Sequence, residues 1–144
     1  MESLEPVEVP RYPEVAKRSC RVLVAEDNKI NQALIRRFLE LGNFEVNMVS
    51  NGFDAIDAVR FSKQPFDLVL MDIKMPGMSG VEAAEGIRSI EGTRGNVCIL
   101  AFTANVSDDD MEQYLNVGID GVIGKPISRE ALFSAIEKAM ESKA

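Results

Sequence analysis

The chain has 144 residues, enough for one domain around a single hydrophobic core, and its 46% hydrophobic and 27% charged residues are ordinary for a globular protein. A net charge of −7 argues against a nucleic-acid-binding surface, and the complete lack of histidine removes imidazole bases, His-containing triads and histidine metal ligands. Two cysteines, Cys20 and Cys98, make neither a disulfide framework nor a zinc pattern and suit a reducing compartment.

Residues 1–18 carry three prolines and mixed charges without a period, and are expected to form a flexible arm ahead of a domain over 19–144. The N-terminus lacks a basic region followed by an apolar one, and no stretch approaches 18 apolar residues, so a cytoplasmic protein is expected. From Arg21 the pattern becomes regular. A short apolar strand at 22–25 precedes a helix at 31–41, where Leu34, Ile35, Phe38, Leu39 and Leu41 recur at helical spacing before Gly42. Residues 44–49 alternate apolar and polar, as a strand near a sheet edge does. Asn51 is placed to cap a helix at 52–62 with Ile56 and Val59 inward. A buried strand at 67–71 leads to a helix at 80–90 carrying Val81, Ala84 and Ile87. A strand at 97–102 holds Cys98 as a small buried hydrophobe. Ser107 and Asp110 have the spacing of a capping box for a helix ending near Gly118. A strand at 119–123 and a helix from Ser128 to about 142 complete five strand–helix pairs. Such alternation predicts a doubly wound α/β fold with a five-stranded parallel sheet.

Ligands of open parallel sheets bind outside the carboxyl ends of the strands. Glu26 and Asp27 follow the first strand, Asp72 the third, Thr103 the fourth, and Lys125 with Pro126 the fifth. In a strand order of 2-1-3-4-5, the first and third strands are neighbours and the three acids share one crevice. Each residue has a plainer reading. Asp27 and Asp72 fit helix or turn caps, Thr103 an ordinary strand residue, and Lys125 a surface lysine. Their coincidence at one edge favours a site. Three clustered carboxylates repel one another unless a cation is bound, and an oxygen-only ligand set favours Mg²⁺. A lysine and a hydroxyl beside that metal suit phosphoryl transfer, with Asp72 as nucleophile.

The segments VLVAEDN (22–28), LVLMDIKMPGMSG (68–80), AFTAN (101–105) and GKPIS (124–128) occur in an order and spacing that resemble the receiver domain of two-component response regulators. The resemblance covers roughly residues 20–142 and implies a flavodoxin-like (βα)5 fold. It implies that Asp72 is the phospho-acceptor, taking a phosphoryl group from a phosphohistidine to form an aspartyl phosphate. Asp27 is then a direct Mg²⁺ ligand, Glu26 acts chiefly through metal-bound water, and Lys74 offers its backbone carbonyl. Thr103 swings toward the phosphoryl oxygen, Lys125 pairs with it, and the Lys125–Pro126 bond is cis. The chemistry implied is self-phosphorylation and autodephosphorylation. A phosphatase of the haloacid-dehalogenase type needs a second aspartate where Lys74 stands.

Three positions depart from or tune that pattern. The family usually carries tyrosine or phenylalanine three residues before the lysine, where this chain has Val122. Coupling through an aromatic switch is then weakened, leaving the loop after Thr103 to carry the signal; plain packing of a β-branched residue is the alternative. Lys74 and Asn105 occupy positions whose side chains, in the family resembled, border the path of attacking water and tune phosphoryl lifetime. The stretch AEDNKINQ (25–32) is more similar to receivers of hybrid histidine kinases and multistep phosphorelays than to chemotaxis-type domains. The implied partners are a histidine kinase or a histidine-containing phosphotransfer protein, with no nucleic acid or membrane contact and a monomer or weak dimer. Ile30, Ala33 and Leu34 suit either an apolar docking patch or the core, and core is favoured for Leu34. A stand-alone single-domain regulator is the alternative to a hybrid-kinase receiver.

Overall fold

The computed structural model describes residues 20–143; the arm expected at 1–18 lies outside them. Five strands, β1 (Arg21–Ala25), β2 (Glu45–Val49), β3 (Leu68–Asp72), β4 (Cys98–Thr103) and β5 (Gly121–Gly124), alternate with five helices. These are α1 (Lys29–Leu41), α2 (Gly52–Phe61), α3 (Gly80–Arg88), α4 (Asp108–Asn116) and α5 (Arg129–Lys143), with a 3₁₀ turn at Thr93–Asn96. The strands are all parallel in the order β2-β1-β3-β4-β5, as expected.

The period-2 geometry of a strand sends successive side chains to opposite faces, so each apolar run feeds two layers. Val22, Val24, Leu68, Leu70, Leu100 and Phe102 pack with Ile35 and Leu39 of α1 and Leu132 and Ile136 of α5. Leu23, Ala25, Val69, Met71, Ile99 and Ala101 face the other way, onto Ala55 and Val59 of α2, Ala84 and Ile87 of α3, and Tyr114 of α4. Both cysteines are buried, Cys98 as expected. The fully buried β3 sits at the centre of the sheet, whereas the edge strand β2 is only half-buried, which explains its alternating sequence. The acids and Thr103 therefore stand at the ends of the deeply packed strands β1, β3 and β4, and Lys125 follows the edge strand β5.

Capping groups set the helix boundaries. Asn28 accepts the Asn31 N–H at 3.0 Å and starts α1 two residues before the expected Asn31. Asn51 and Ser128 cap α2 and α5 as expected, through the Asp54 and Ala131 amides at 2.7 and 3.1 Å. Ser107 caps α4, but its hydroxyl donates to the Asp110 carboxylate, so the reciprocal box expected there is not formed. The reciprocal box is at α3, where Ser79 accepts the Glu82 N–H and Glu82 accepts the Ser79 N–H. Strand β5 begins at Gly121 rather than 119. The Ile119 N–H still closes the end of α4 on the Tyr114 carbonyl at 3.1 Å, and Gly118 turns the chain at φ +90°. Leu34, expected in the core, is 42% exposed: Ile35 and Leu39, four apart, take the inward stripe of α1.

Arg88 locks the far end of the α3–α4 side. Its guanidinium donates to the carbonyls of Gly95, Val97 and Gly118 and pairs with Asp120 at 3.0 Å, while Asp120 also accepts the Ile99 N–H. At the other end, Gly80 brings α3 against the residue at the tip of β3. A Cβ at position 80 would stand 2.3 Å from the Asp72 carbonyl oxygen and 2.8 Å from the Ile73 Cα, both backbone atoms. The Gly80 N–H also donates to Ile73 O at 2.7 Å. Gly80→Ala should lower stability by about 2–3 kcal/mol, because backbone atoms do not rotate away from an overpacked Cβ. Urea denaturation measures this, and parent-like stability would refute the close approach.

Candidate functional site

The site forms where β1, β3, β4 and β5 end. The backbone of β1 continues into Glu26, whose N–H donates to Val49 O at 3.1 Å and whose carbonyl accepts from Gln32 Nε2. Because Asn28 caps α1, Asp27 is not consumed as a cap and stays exposed beside the crevice. One oxygen from each of Glu26, Asp27 and Asp72 lies within 4.8 Å of the others. Among the described residues this is the one acidic group that could hold a metal ion.

Glu26 and Asp72 are 1% and 2% exposed, an unusual position for two carboxylates. Glu26 Oε2 accepts the Asn28 N–H at 2.9 Å, while Oε1 is buried with no hydrogen-bond partner. Burial pushes the Glu26 carboxyl up to about 7; the neighbouring Asp72 charge adds to this, and the Asn28 amide and Lys125 oppose it. An orphaned carboxylate oxygen beside two further acids fits a hard cation or its bound water.

Asp72 closes β3. Its Oδ1 accepts the Lys74 N–H at 3.3 Å and the Lys125 ammonium at 3.1 Å. Lys125 follows β5, and its ammonium stands 5.5 Å from the centroid of the Phe102 ring, which guides the stem across the strand ends. The Lys125–Pro126 peptide is cis, as the resemblance implied. Thr103 is 2% exposed at the end of β4, and its hydroxyl accepts the Asn105 N–H at 3.0 Å. Thus Glu26, Asp27, Asp72, Thr103 and Lys125 meet at one sheet edge.

Lys74 and Asn105 border that group on the loops after β3 and β4. Val122 does not join it. It pairs in register with Ala101 and packs into the apolar layer beneath α2, α3 and α4, which accords with a packing role. Tyr114 carries no motif or spacing that singles it out, yet its hydroxyl donates to the Asn105 carbonyl at 3.0 Å. A tyrosine on the inward face of an amphipathic helix reads as core, and a bond to a loop carbonyl leaves no spacing signature.

Comparison with known proteins agrees with this geometry. The family profile described as "Response regulator receiver domain" matches residues 22–137. The chain is 40% identical over 120 residues to hybrid signal transduction histidine kinase I of Dictyostelium discoideum, covering 81% of this chain and 7% of that protein. It is 38% identical over 128 residues to the sensor protein GacS of Pseudomonas syringae pv. syringae, covering 88% and 14% respectively. The chain thus spans a small part of these curated relatives. Among solved structures, the receiver domain of sensor histidine kinase PA1611 from Pseudomonas aeruginosa PAO1 superposes with a TM-score of 0.76 at 31% identity. That match covers 86% of this chain and 99% of the other, and the PA1611 receiver has a magnesium ion coordinated in its active site cleft. The Saccharomyces cerevisiae complex of the histidine phosphotransfer protein Ypd1 with the Ssk1 receiver domain matches with a TM-score of 0.77 and 31% identity, covering 88% and 92%. With the profile spanning most of the chain and a solved receiver overlaid along nearly its whole length, the chain belongs to the response regulator receiver domains of two-component and phosphorelay signalling.

Proposed function

We propose that Asp72 accepts a phosphoryl group from a phosphohistidine on a partner protein, in a reaction that depends on Mg²⁺ held by Glu26, Asp27, Asp72 and the Lys74 carbonyl. The observation that carries this is the orphaned Glu26 Oε1 within a trio of acids, with a lysine already on the acceptor oxygen. Bound Mg²⁺ supplies positive charge where carboxylate and phosphoryl oxygens crowd together. A carboxylate oxygen of Asp72 forms the new O–P bond as the P–N bond of the donor breaks, and that electron pair leaves with the imidazole. The Lys125 ammonium moves from the carboxylate to a phosphoryl oxygen. The Thr103 hydroxyl gives up the Asn105 amide and donates to another phosphoryl oxygen. Lys74 and Asn105 flank the approach of water and set the lifetime of the acyl phosphate.

Incubation with phosphoramidate and Mg²⁺, followed by intact mass, tests the reading. One phosphoryl adduct that is lost with EDTA is expected, and no adduct would refute it. Lifetime control by Lys74 has its own test: Lys74→Ala should change the dephosphorylation rate several-fold. Equal rates would reject that role.

The raised Glu26 carboxyl makes metal binding pH-dependent. Metal-free, the protonated form is favoured by folding, so this contribution is full below the ordinary value of 4.5 and disappears as pH rises to about 7. Mg²⁺ needs the ionised form, so its apparent affinity should be roughly thirtyfold weaker near pH 5.5 than near pH 8. Thermal melting with and without Mg²⁺ at both pH values measures this; an equal shift at both would contradict it.

The partner we assign is a histidine-containing phosphotransfer protein or the phosphorylated domain of a histidine kinase. Ile30 is 79% exposed, and Leu34 lines a groove of about 350 Å³ with Asn31, Phe102, Lys125 and Ile127. This apolar strip runs from α1 to the site lysine, where an incoming helix could set its phosphohistidine over Asp72. The hybrid-kinase context rests on the named relatives, and a stand-alone regulator is the other arrangement. Among the described residues no helix is long and apolar enough to cross a membrane.

A further inference from the structure

Two hydrogen bonds join the site to a helix that contributes nothing else to it. The Thr103 hydroxyl accepts the Asn105 N–H, and the carbonyl of the same Asn105 accepts from the Tyr114 hydroxyl, each at 3.0 Å. The Tyr114 ring is anchored: the residue is 2% exposed, and it packs in the apolar layer that contains Ile99 and Ala101 of β4. The loop between is exposed at Ala104, at Val106 (54%) and at Ser107, where the cap of α4 begins. A phenylalanine would fill the ring's space without desolvating a hydroxyl, so the hydroxyl's contribution is its bond to the loop.

We infer that Tyr114 is a positioning residue for the phosphoryl chemistry, holding the Asn105 backbone and through it the Thr103 hydroxyl in the arrangement that precedes phosphorylation. The inference rests on the reading of Asp72 and Thr103 above. When the Thr103 hydroxyl turns to a phosphoryl oxygen, the Asn105 amide loses its acceptor. The loop then shifts, and the Tyr114 bond breaks with it. A bond present only before phosphorylation stabilises that state, so removing it favours the phosphorylated one. Because the ring is fixed in α4, the same event reaches the helix as the loss of a partly buried hydrogen bond.

The chain supplies its own reporter, since it has no tryptophan and only two tyrosines, Tyr12 and Tyr114. In a Tyr12→Phe background, Mg²⁺ with beryllofluoride, a phosphoryl mimic, should change the Tyr114 emission, and Asp72→Asn should abolish that change. Tyr114→Phe should bind beryllofluoride about two- to tenfold more tightly, the factor expected for one hydrogen bond. Its melting curve controls for folding, and the emission experiment needs no change at Tyr114. Unchanged emission on binding, or unchanged or weaker affinity in Tyr114→Phe, overturns the inference. Intact mass after phosphoramidate separates the two levels: an adduct with silent Tyr114 overturns this inference alone, and no adduct overturns both.

Discussion

Asp72→Asn is expected to abolish phosphoryl adduct formation while leaving the fold intact. The amide matches the carboxylate in shape but lacks the nucleophilic oxygen and the charge that attracts a metal. The site should not collapse, because the substitution removes one of two buried acids that repel each other. Glu26 is held up chiefly by burial and also by the Asp72 charge, so its carboxyl should titrate lower in the variant. Metal-free stability near neutral pH should therefore match or exceed that of the parent. Intact mass and thermal melting together check this. An adduct retained in Asp72→Asn would show that the acceptor lies elsewhere.

Lys125→Met is expected to slow phosphoryl transfer by roughly 10²–10³-fold, the effect of removing one preorganised positive donor from a developing charge. Methionine keeps an unbranched stem of similar length over Phe102, so loss of the ammonium is separated from loss of packing. Without the ammonium, the Lys74 N–H still donates to Asp72 Oδ1, but this buried carboxylate is short of compensating charge. Mg²⁺ should then stabilise the variant more than it stabilises the parent. The rate of adduct formation from phosphoramidate at saturating Mg²⁺ is the deciding measurement. A rate within twofold of the parent would mean that the ion pair at 3.1 Å is structural.

Much of this arrangement is legible in the residues themselves. The unbroken apolar runs at 22–25, 68–71 and 98–102 reveal strands buried on both faces, and acids or hydroxyls at the ends of such runs stand out chemically. What escaped was set by competition among neighbours. Leu34 and Ile35 are equally apolar, and only packing between β1, β2 and α5 decides that Ile35 turns inward. Ser79 and Glu82 carry the spacing of a capping box as clearly as Ser107 and Asp110. There, however, the shorter aspartate accepts the serine hydroxyl instead of reaching back to its amide. Gly80 shows no signal in its own flanks, because its close approach is to a backbone eight residues earlier. Asn28 serves as the cap of α1, so the capping role that Asp27 also fitted is taken by its neighbour.

Asp72 itself is expected to become an acyl phosphate with Mg²⁺ present. Borohydride reduction of the phosphorylated protein, followed by peptide mass spectrometry, tests it most directly, since an acyl phosphate is reduced to the alcohol and marks its own position. Homoserine at position 72 is expected, formed with Mg²⁺ and lost with EDTA. Homoserine at another carboxylate, or a reduction-resistant phosphoester on a serine or threonine, would contradict it.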